Sequence, residues 1–571
     1  MTTIMFCKNV STQASLFNPI EKMPKYLVDI LKKSWCHSFR EYIFPYINEE
    51  RFSVLYSDNH ATRPNSPVNV IIGLLIIKEI FQQSDEELIG SLYFDIRYQY
   101  ALNTEEYEKQ PVSINTLTNF RNRVIEYEQK TGRDLIKEEI ENLSGIIAKH
   151  MKIDGKKVRM DSLMVSSSCK KLSRLELIYS LNERMVKLLS KLDPDSIPES
   201  CSGYLKSGNK NEIIYRTRDR ETDSKISILI SQSVDLYYAS DKAKVLESDE
   251  FKMLKRFFDE QTEVSEAGFR IKKGKEIPSD SLQNPTDPDA TYRKKYKDNV
   301  GYVANVVESF NDEERVITQY DLKQNIYSDQ QFAKDIIEVM PEGDPNDKTK
   351  LIVDGTYYTD DIAQTASMKN IELIPTQLAG KKPESNKLEY HEFKVDETEN
   401  IIISCPAGEK PYASYNSKNS YTAYFDRTRC EECPLRDKCR IKITKNKATI
   451  RVSEKTYRTS LLRYTIGTEE YQKIANQRAG VEGIPSVLRR RYNVDSMPVR
   501  GLLRSKLWFG FKIAAMNFKS LLKWVRRGLD NRWSLPSLFD FLCFHLMEIP
   551  DGMFFGVSLK KFYFKSSLSV G

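Results

Sequence analysis

The sequence predicts an α/β core preceded by a small helical region, and three observations support this class. Helical periodicity dominates as far as about residue 132. From Val158 onward the apolar positions alternate, as they do in a strand. Strand-like and helical runs then follow one another to about residue 374, which argues against a pure helical bundle. We therefore expect four domains, at residues 1–150, 151–380, 381–465 and 466–571.

The composition is that of a folded protein without a membrane segment. Hydrophobic residues make up 40% and charged residues 29% of the 571 residues, which is outside the range of disorder. No apolar run reaches the roughly 18 residues that a membrane-spanning helix needs, so we expect a cytoplasmic protein. The net charge is only +7, but the segment 489–527 is rich in Arg and Lys. That segment is interpreted either as a phosphate-binding strip or as a solvated helix face.

The N-terminal region is predicted to contain several short helices. Ser84 and Glu87 form a capping box that begins one helix, and Ser113 is the predicted N-cap of the next. On that last helix, Arg121 and Arg123 lie away from the apolar positions. Cationic side chains on the last of several short helices are typical of DNA recognition. A small bundle with a basic surface is the alternative interpretation.

Two aspartates stand at strand positions of the predicted core. Asp161 lies in or at the end of a strand, and Asp354 follows the short apolar run 351–353. Open α/β sheets place functional groups at the carboxyl ends of their strands. By contrast, Asp360 and Asp361 fall in the first turn of a predicted helix, where acids are favourable for the helix dipole alone. Asp161 and Asp354 are therefore the candidates for chemistry.

Other stretches of the core are assigned by periodicity. Residues 172–192 and 234–260 are predicted to be helical, within an insertion at about 170–295. The polar stretch 272–299 is predicted to be a loop. Residues 302–310 and 316–322 are predicted to pair as a hairpin.

Three segments resemble the catalytic blocks of bacterial insertion-sequence DDE transposases. They are Arg-Met-Asp-Ser-Leu-Met-Val at 159–165, Val-Asp-Gly-Thr-Tyr-Tyr at 353–358, and Arg-Ala-Gly-Val-Glu at 478–482 followed by Arg489. In that family the last block contains a Tyr, an Arg, a Glu and a Lys or Arg at fixed spacing. Arg478, Glu482 and Arg489 keep this spacing, whereas Ala475 stands at the Tyr position. The resemblance covers most of the chain, and residues 190–288 match poorly.

The resemblance implies an RNase H-like catalytic domain with insertions. In it, Asp161, Asp354 and Glu482 would bind two divalent cations, Mg2+ or Mn2+, which prefer oxygen ligands. Water would attack when the end of the element is nicked, and the freed 3' hydroxyl would attack when that end is joined to target DNA. Arg478 and Arg489 would bind phosphate near the active site.

The implied partner is DNA, both the terminal inverted repeats and the target. Arg121 and Arg123 are the expected contacts to the inverted repeats. We also expect a homodimer or a higher oligomer on DNA. Two alternatives stay open: a non-catalytic transposon-derived DNA-binding protein, which Ala475 favours, and a nuclease of the same fold without joining activity.

A cysteine cluster is the remaining candidate site. The two-residue gap between Cys430 and Cys433 lets both thiolates face one ion, and Cys405 and Cys439 lie nearby in the sequence. Structural zinc and reduced structural thiols are the two interpretations. The other cysteines are scattered and are interpreted as ordinary thiols: Cys7, Cys36, Cys169, Cys201 and Cys543.

Overall fold

The chain combines helices with several β-sheets, which confirms the α/β class. The computed structural model describes residues 5–9, 20, 22–59, 62–105, 110–265, 268–294, 298–380, 384–396 and 398–530. Cys543 and the end of the predicted fourth domain lie outside the described residues. The chain divides into a compact unit, Met1–Ser520, and a second unit, Leu521–Gly571, of which the end of one long helix is described. No helix in the described ranges is long and apolar enough to cross a membrane.

Seven α-helices are described before the first strand of the main sheet. They are α1 (Lys25–Lys32), α2 (Trp35–Tyr42), α3 (Val68–Phe81), α4 (Asp85–Phe94), α5 (Ile96–Ala101), α6 (Ile114–Thr131) and α7 (Leu135–His150). The capping box of Ser84 and Glu87 begins α4 as predicted, and Ser113 caps α6. Each cap satisfies backbone N–H groups that the first helical turn leaves without partners. The sequence therefore located these helix starts correctly.

The main sheet contains six strands. They are β1 (Lys157–Ser166), β4 (Thr291–Lys294), β5 (Asp298–Phe310), β6 (Arg315–Gln324), β7 (Thr349–Val353) and β8 (Ile371–Pro375). The order is β4-β5-β1-β7-β8, and β6 pairs with β5 beyond the end of β4. Strands β1, β7 and β8 run parallel, whereas β5 is antiparallel to both β1 and β6. Helices α11 (Asp329–Val339) and α12 (Asp360–Met368) pack against the sheet through a shared apolar core.

The predicted hairpin of β5 and β6 is confirmed, but two other predictions need correction. The helix expected at 234–260 is two helices, because the chain turns after residue 242 and Ser248 caps a new helix start. The expected loop at 272–299 contains β4 and the first residues of β5. These short strands form by pairing between Thr291 and Gly301, a contact that local sequence does not encode.

Two further groups of elements complete the described fold. Between β1 and β4 lie α8 (Arg174–Leu192), α9 (Thr222–Lys242) and α10 (Asp249–Gln261), with a hairpin of β2 (Thr262–Ser265) and β3 (Gly268–Ile271). After β8 come β9 (Lys394–Asp396), β10 (Ile401–Ser404), β11 (Ala413–Ser417), β12 (Ser420–Phe425), α13 (Arg427–Glu431), β13 (Lys442–Ile443) and β14 (Ala448–Ser453). The last helices described are α14 (Glu454–Ile466), α15 (Glu469–Ala475), α16 (Gly483–Tyr492) and α17 (Leu502–Asp530).

Helix α17 is fixed to the main sheet and to the N-terminal helices by polar contacts. The amide of Asn517 donates to the carbonyl of Ile317 at 2.7 Å, and its oxygen accepts from the Ile317 N–H at 3.0 Å. This pair satisfies an edge position of β6. Lys512 forms an ion pair with Glu79 at 2.5 Å, and both side chains are buried. Lys512 of the basic segment therefore has an intramolecular role.

The carboxyl group of Glu141 on α7 lies against β6 and accepts a hydrogen bond from the Tyr320 N–H at 3.4 Å. Burial, together with nearby Asp321 and Asp134, raises its pKa from 4.5 to about 7, although Lys137 opposes the shift. The folded chain therefore holds this proton to a higher pH than the unfolded chain does. The resulting contribution to stability is lost as pH rises from about 4.5 through 7.

We predict that Glu141→Gln raises the free energy of unfolding at pH 8 by about 1–3 kcal/mol and changes it much less at pH 5. Denaturant unfolding at both pH values measures the difference. Glu126→Gln, at an exposed position of α6, is the control and should be neutral at both. Equal effects of Glu141→Gln at pH 5 and pH 8 would contradict the assignment.

Candidate active site

The register of two parallel strands places Asp161 and Asp354 at the same level. Strand β1 pairs with β7 from Lys157 to Arg159, and Arg159 lies opposite Ile352. Asp161 is two residues beyond Arg159, and Asp354 is two residues beyond Ile352. The pairing ends at Arg159, so the two aspartates lie where the neighbouring strands separate. Such a crevice is where open α/β sheets bind ligands.

Glu482 comes from a segment much later in the chain, and this segment lies beside the same two strands. It is the last residue of a 3₁₀-helical stretch, Asn476–Glu482, which we call the Glu482 segment. This segment joins α15 to α16 and packs against both β1 and β7. Asp161, Asp354 and Glu482 therefore lie in the same region of the fold, although they are far apart in the sequence.

Arg478 links two of the three carboxylates. Its Nη2 donates to Asp161 Oδ1 at 3.0 Å, and its Nη1 donates to Glu482 Oε1 at 3.0 Å. The Arg478 side chain is 11% exposed, whereas that of Glu482 is 64% exposed. Burial raises the pKa of Asp161, and the charges of Asp354 and Glu482 raise it further, while Arg478 and the Ser162 N–H lower it. The three acids thus interact electrostatically around one guanidinium group.

Backbone geometry fixes Asp354 at the end of β7. Its Oδ1 accepts from the Gly355 N–H at 2.7 Å and from Gln377 Nε2 at 3.3 Å. A Cβ atom at Gly355 would collide with the carbonyl oxygen of Gln377, so a side chain here would push the Gln377 loop away. Gln377 was not predicted from the sequence. Its signal was its position just after β8, at the same edge of the sheet as Asp354.

A buried ion pair holds the Glu482 segment against the sheet. Arg159 Nε donates to Glu308 Oε2 at 2.7 Å, and the two residues are cross-strand partners in β1 and β5. Their side chains are 7% and 2% exposed. Arg159 also donates through Nη1 to the carbonyl of Gln477, and Arg315 donates to the carbonyl of Gly480 at 3.2 Å. A Cβ at Gly480 would meet the Arg159 guanidinium, so the close approach requires glycine.

The donor set suits a hard divalent cation. Asp161, Asp354 and Glu482 offer carboxylate oxygens, which such cations prefer, and a cationic guanidinium already bridges two of them. As the side chains are placed, no group of three or more His, Cys, Asp or Glu in the described ranges encloses a metal position. Asp161 and Glu482 bond Arg478 instead, so binding an ion between them would require Arg478 to exchange these contacts for others.

A groove runs along β1 from Ser162, the residue that follows Asp161. It has a volume of about 490 Å³, and its walls include Ser162, Met164, Arg293 and Arg489. Arg489 donates to the carbonyl of Met164 at 3.4 Å and lies 3.4 Å from Asp495, with 44% of its side chain exposed. Two cationic side chains, Arg293 and Arg489, therefore line the same groove as residues of the strand that carries Asp161.

The two N-terminal arginines differ in their surroundings. Arg121 forms a two-pronged ion pair with Asp85, at 2.6 and 2.8 Å, and together with Lys78 it holds the pKa of that carboxyl well below its usual range. Arg123 instead stacks its guanidinium 5.2 Å from the ring centre of Tyr56. Arg121 is thus committed to a contact within the helical region, whereas Arg123 is less constrained.

The four clustered cysteines lie far from the carboxylates in the sequence and come together among themselves. Cys405, Cys430, Cys433 and Cys439 all line one small cavity beside the β11–β14 sheet. The five remaining cysteines do not join them where they are described.

Comparison with protein families gives two matches. Residues 404–522 match the model described as transposase DDE domain, and residues 32–123 match a transposase domain of otherwise undescribed role (DUF772). Together they indicate an insertion-sequence DDE transposase. The DDE match contains Arg478, Glu482 and Arg489 of this chain, and the second match contains Arg121 and Arg123. No curated protein and no solved structure matches the chain.

The buried pair of Arg159 and Glu308 generates a stability prediction. Arg159→Met leaves the Glu308 carboxylate buried without its partner, so we expect the free energy of unfolding to fall by about 3–5 kcal/mol. Lys157→Met, on the same strand, removes an exposed pair with Asp312 and should lower it by less than about 1 kcal/mol. Denaturant titration of both variants tests this contrast, and equal losses would contradict it.

Proposed function

We propose that this transposase cleaves DNA at the ends of an insertion sequence and joins the 3' ends to target DNA. Asp161, Asp354 and Glu482 would hold two Mg2+ or Mn2+ ions, which lower the barrier to phosphodiester substitution by polarising the attacking and leaving oxygens. The observation that carries the proposal is that Arg478 bonds both Asp161 and Glu482, while the charges of Asp354 and Glu482 raise the pKa of Asp161.

An RNase H-like core is proposed for the catalytic domain. The sheet order supports it: a hairpin of β5 and β6 lies beside β1, followed by parallel β7 and β8, with helices between the parallel strands. Among β1, β5, β6, β7 and β8, the first and the fourth in sequence, β1 and β7, are neighbours in the sheet. Asp161, within β1, and Asp354, just after β7, therefore become neighbours in this proposed core.

The chain's own residues would orient the DNA for two successive reactions. In the first, water attacks a phosphorus atom and the bond to the 3' oxygen breaks, which frees a 3' hydroxyl. In the second, that hydroxyl attacks target DNA and displaces another 3' oxygen. Arg478 would bind a phosphate oxygen, since its buried Nε has no hydrogen-bond partner among the described residues. Arg159 would have an indirect role, because its bond to the Gln477 carbonyl holds the backbone of the segment that carries Glu482.

The groove along β1 would guide the DNA strand toward the carboxylates. Arg489 and Arg293 line it, and the forked donors of arginine suit phosphate oxygens. In the N-terminal helices, Arg123 is the better candidate for contacts to the inverted repeats, because Arg121 is held by Asp85. We also propose a cytoplasmic location and an oligomer assembled on DNA.

We predict that Asp161→Asn, Asp354→Asn and Glu482→Gln each reduce strand cleavage at least about 1,000-fold, because each removes a charged metal ligand. Cleavage is measured with labelled duplexes that carry the DNA flanking the reading frame, in Mg2+ and in Mn2+. A band-shift assay should show that each variant still binds these duplexes.

Asp361→Asn is the matched control, since Asp361 is an exposed acid close to Asp354 in sequence, and it should cleave normally. If the variant of Asp161, Asp354 or Glu482 cleaves normally, that residue is not one of the catalytic metal ligands. Binding by the wild-type chain without cleavage in either metal would favour the non-catalytic DNA-binding protein. Cleavage without joined products would favour the nuclease.

The groove generates a separate prediction about binding. Arg489→Ala should weaken DNA binding and reduce the slope of log Kd against log salt concentration by about 1, which is the loss of one phosphate contact. Arg490→Ala is the control, because the neighbouring side chain is exposed but does not line the groove. An unchanged slope for Arg489→Ala would place the DNA elsewhere.

A further inference from the structure

The cavity lined by Cys405, Cys430, Cys433 and Cys439 is a small pocket outside the candidate active site. Its remaining walls are mainly apolar, from Leu388, Pro406, Ala407, Leu435 and Ile441, with Glu409, Arg429 and Arg436 at the border. Four thiols from separated parts of the chain thus converge where few other polar groups are present. We propose that they bind one structural Zn2+ ion, which prefers four thiolate ligands in closed sites.

The backbone around each cysteine is built from tight turns. The Gly408 N–H donates to the carbonyl of Cys405 at 2.9 Å, and Gly408 has a φ of +87°, which favours glycine. Cys430 lies in the short helix α13, and Cys433 begins a turn in which the Arg436 N–H donates to its carbonyl at 3.0 Å. These turns bring the side chains to one side of the loop without help from a long helix or strand.

One sulfur already accepts a backbone hydrogen bond. The Ile441 N–H donates to Cys439 Sγ at 3.5 Å. Amide donors to sulfur stabilise a thiolate. Groups that orient the residues bound to the metal are a regular part of metal sites. The sulfurs do not yet surround a common point, because no three ligating side chains among the described residues do so. Rotation about the Cα–Cβ bond of a cysteine moves its sulfur without moving the backbone.

Charge favours the proposal as well. A zinc ion with four thiolates carries a net charge of about −2, which neighbouring cations stabilise. Arg429 and Arg436 both line the cavity, but Arg429 forms an ion pair with Glu409 at 2.8 Å, so Arg436 is the cation that would stabilise this charge. Arg436 donates to the carbonyl of Ile441 at 2.8 Å, so it is held beside Cys439.

The ion would fix a loop that has little regular structure of its own. Between β12 and β14, residues 426–447 contain only the five-residue α13 and the two-residue β13. Cys405 and Cys430 belong to the apolar core of this sheet, whereas Cys433 and Cys439 lie at its border. A shared ion would therefore fasten the loop to the core, as metals do in small domains with limited burial.

The test is the metal content of the full-length chain, purified in the presence of Zn2+ and then freed of loosely bound metal. We expect about one zinc per chain by mass spectrometry of the metal, and a sulfur-to-metal charge-transfer band when Co2+ replaces it. Cys433→Ser should lose most of the zinc, whereas Cys169→Ser, which changes a cysteine away from the cavity, should keep it. Asp161→Asn should also keep it, so failure of the catalytic proposal would leave this result unchanged.

Three outcomes would overturn the proposal. The first is a wild-type chain that is folded by circular dichroism but contains no zinc, with four thiols that react freely in the native state. The second is a disulfide among the four cysteines, detected by mass spectrometry. The third is loss of as much zinc from Cys169→Ser as from Cys433→Ser. Since the wild-type measurements do not depend on a variant, misfolding of Cys433→Ser alone would not obscure the answer.

Discussion

The pairing of β1 with β7 is the constraint on which the candidate active site depends. The pairing ends with Arg159 opposite Ile352, and Asp161 and Asp354 each lie two residues further along their chain segments. Side chains two residues apart in a strand lie on the same face, so Arg159 and Asp161 share a face of β1. The strand that supplies one carboxylate therefore also supplies the guanidinium that holds the backbone before Glu482. A slip of one residue in this register would move both groups to the opposite face.

Cations have several different roles in this chain. Arg159 is buried with Glu308, Arg478 lies between two carboxylates, and Lys512 is buried with Glu79. Each of these charges is compensated within the protein. Arg489 is more exposed and borders the groove along β1. The positions of basic residues, more than the net charge, therefore distinguish Arg159 and Lys512, which stabilise the fold, from Arg478 and Arg489, which are proposed to bind DNA.

Sequence reasoning predicted the helix starts at Ser84 and Ser113 because capping is local chemistry. It also predicted the hairpin of β5 and β6, and it selected Asp161, Asp354 and Glu482. It missed β4, the break between α9 and α10, and the role of Gln377, because these depend on pairing and packing across the fold. It could not reveal the ion pair of Arg121 with Asp85, which requires two helices to pack together.

The central claim is that Asp161, Asp354 and Glu482 bind divalent cations together. Anomalous diffraction from crystals grown with Mn2+ tests this claim most directly, because it locates the metal independently of activity. We predict anomalous peaks bounded by these three carboxylates, with the Arg478 guanidinium moved away from Asp161 or Glu482. Mn2+ bound only elsewhere, with Arg478 still bridging the two carboxylates at high Mn2+ concentration, would contradict the account.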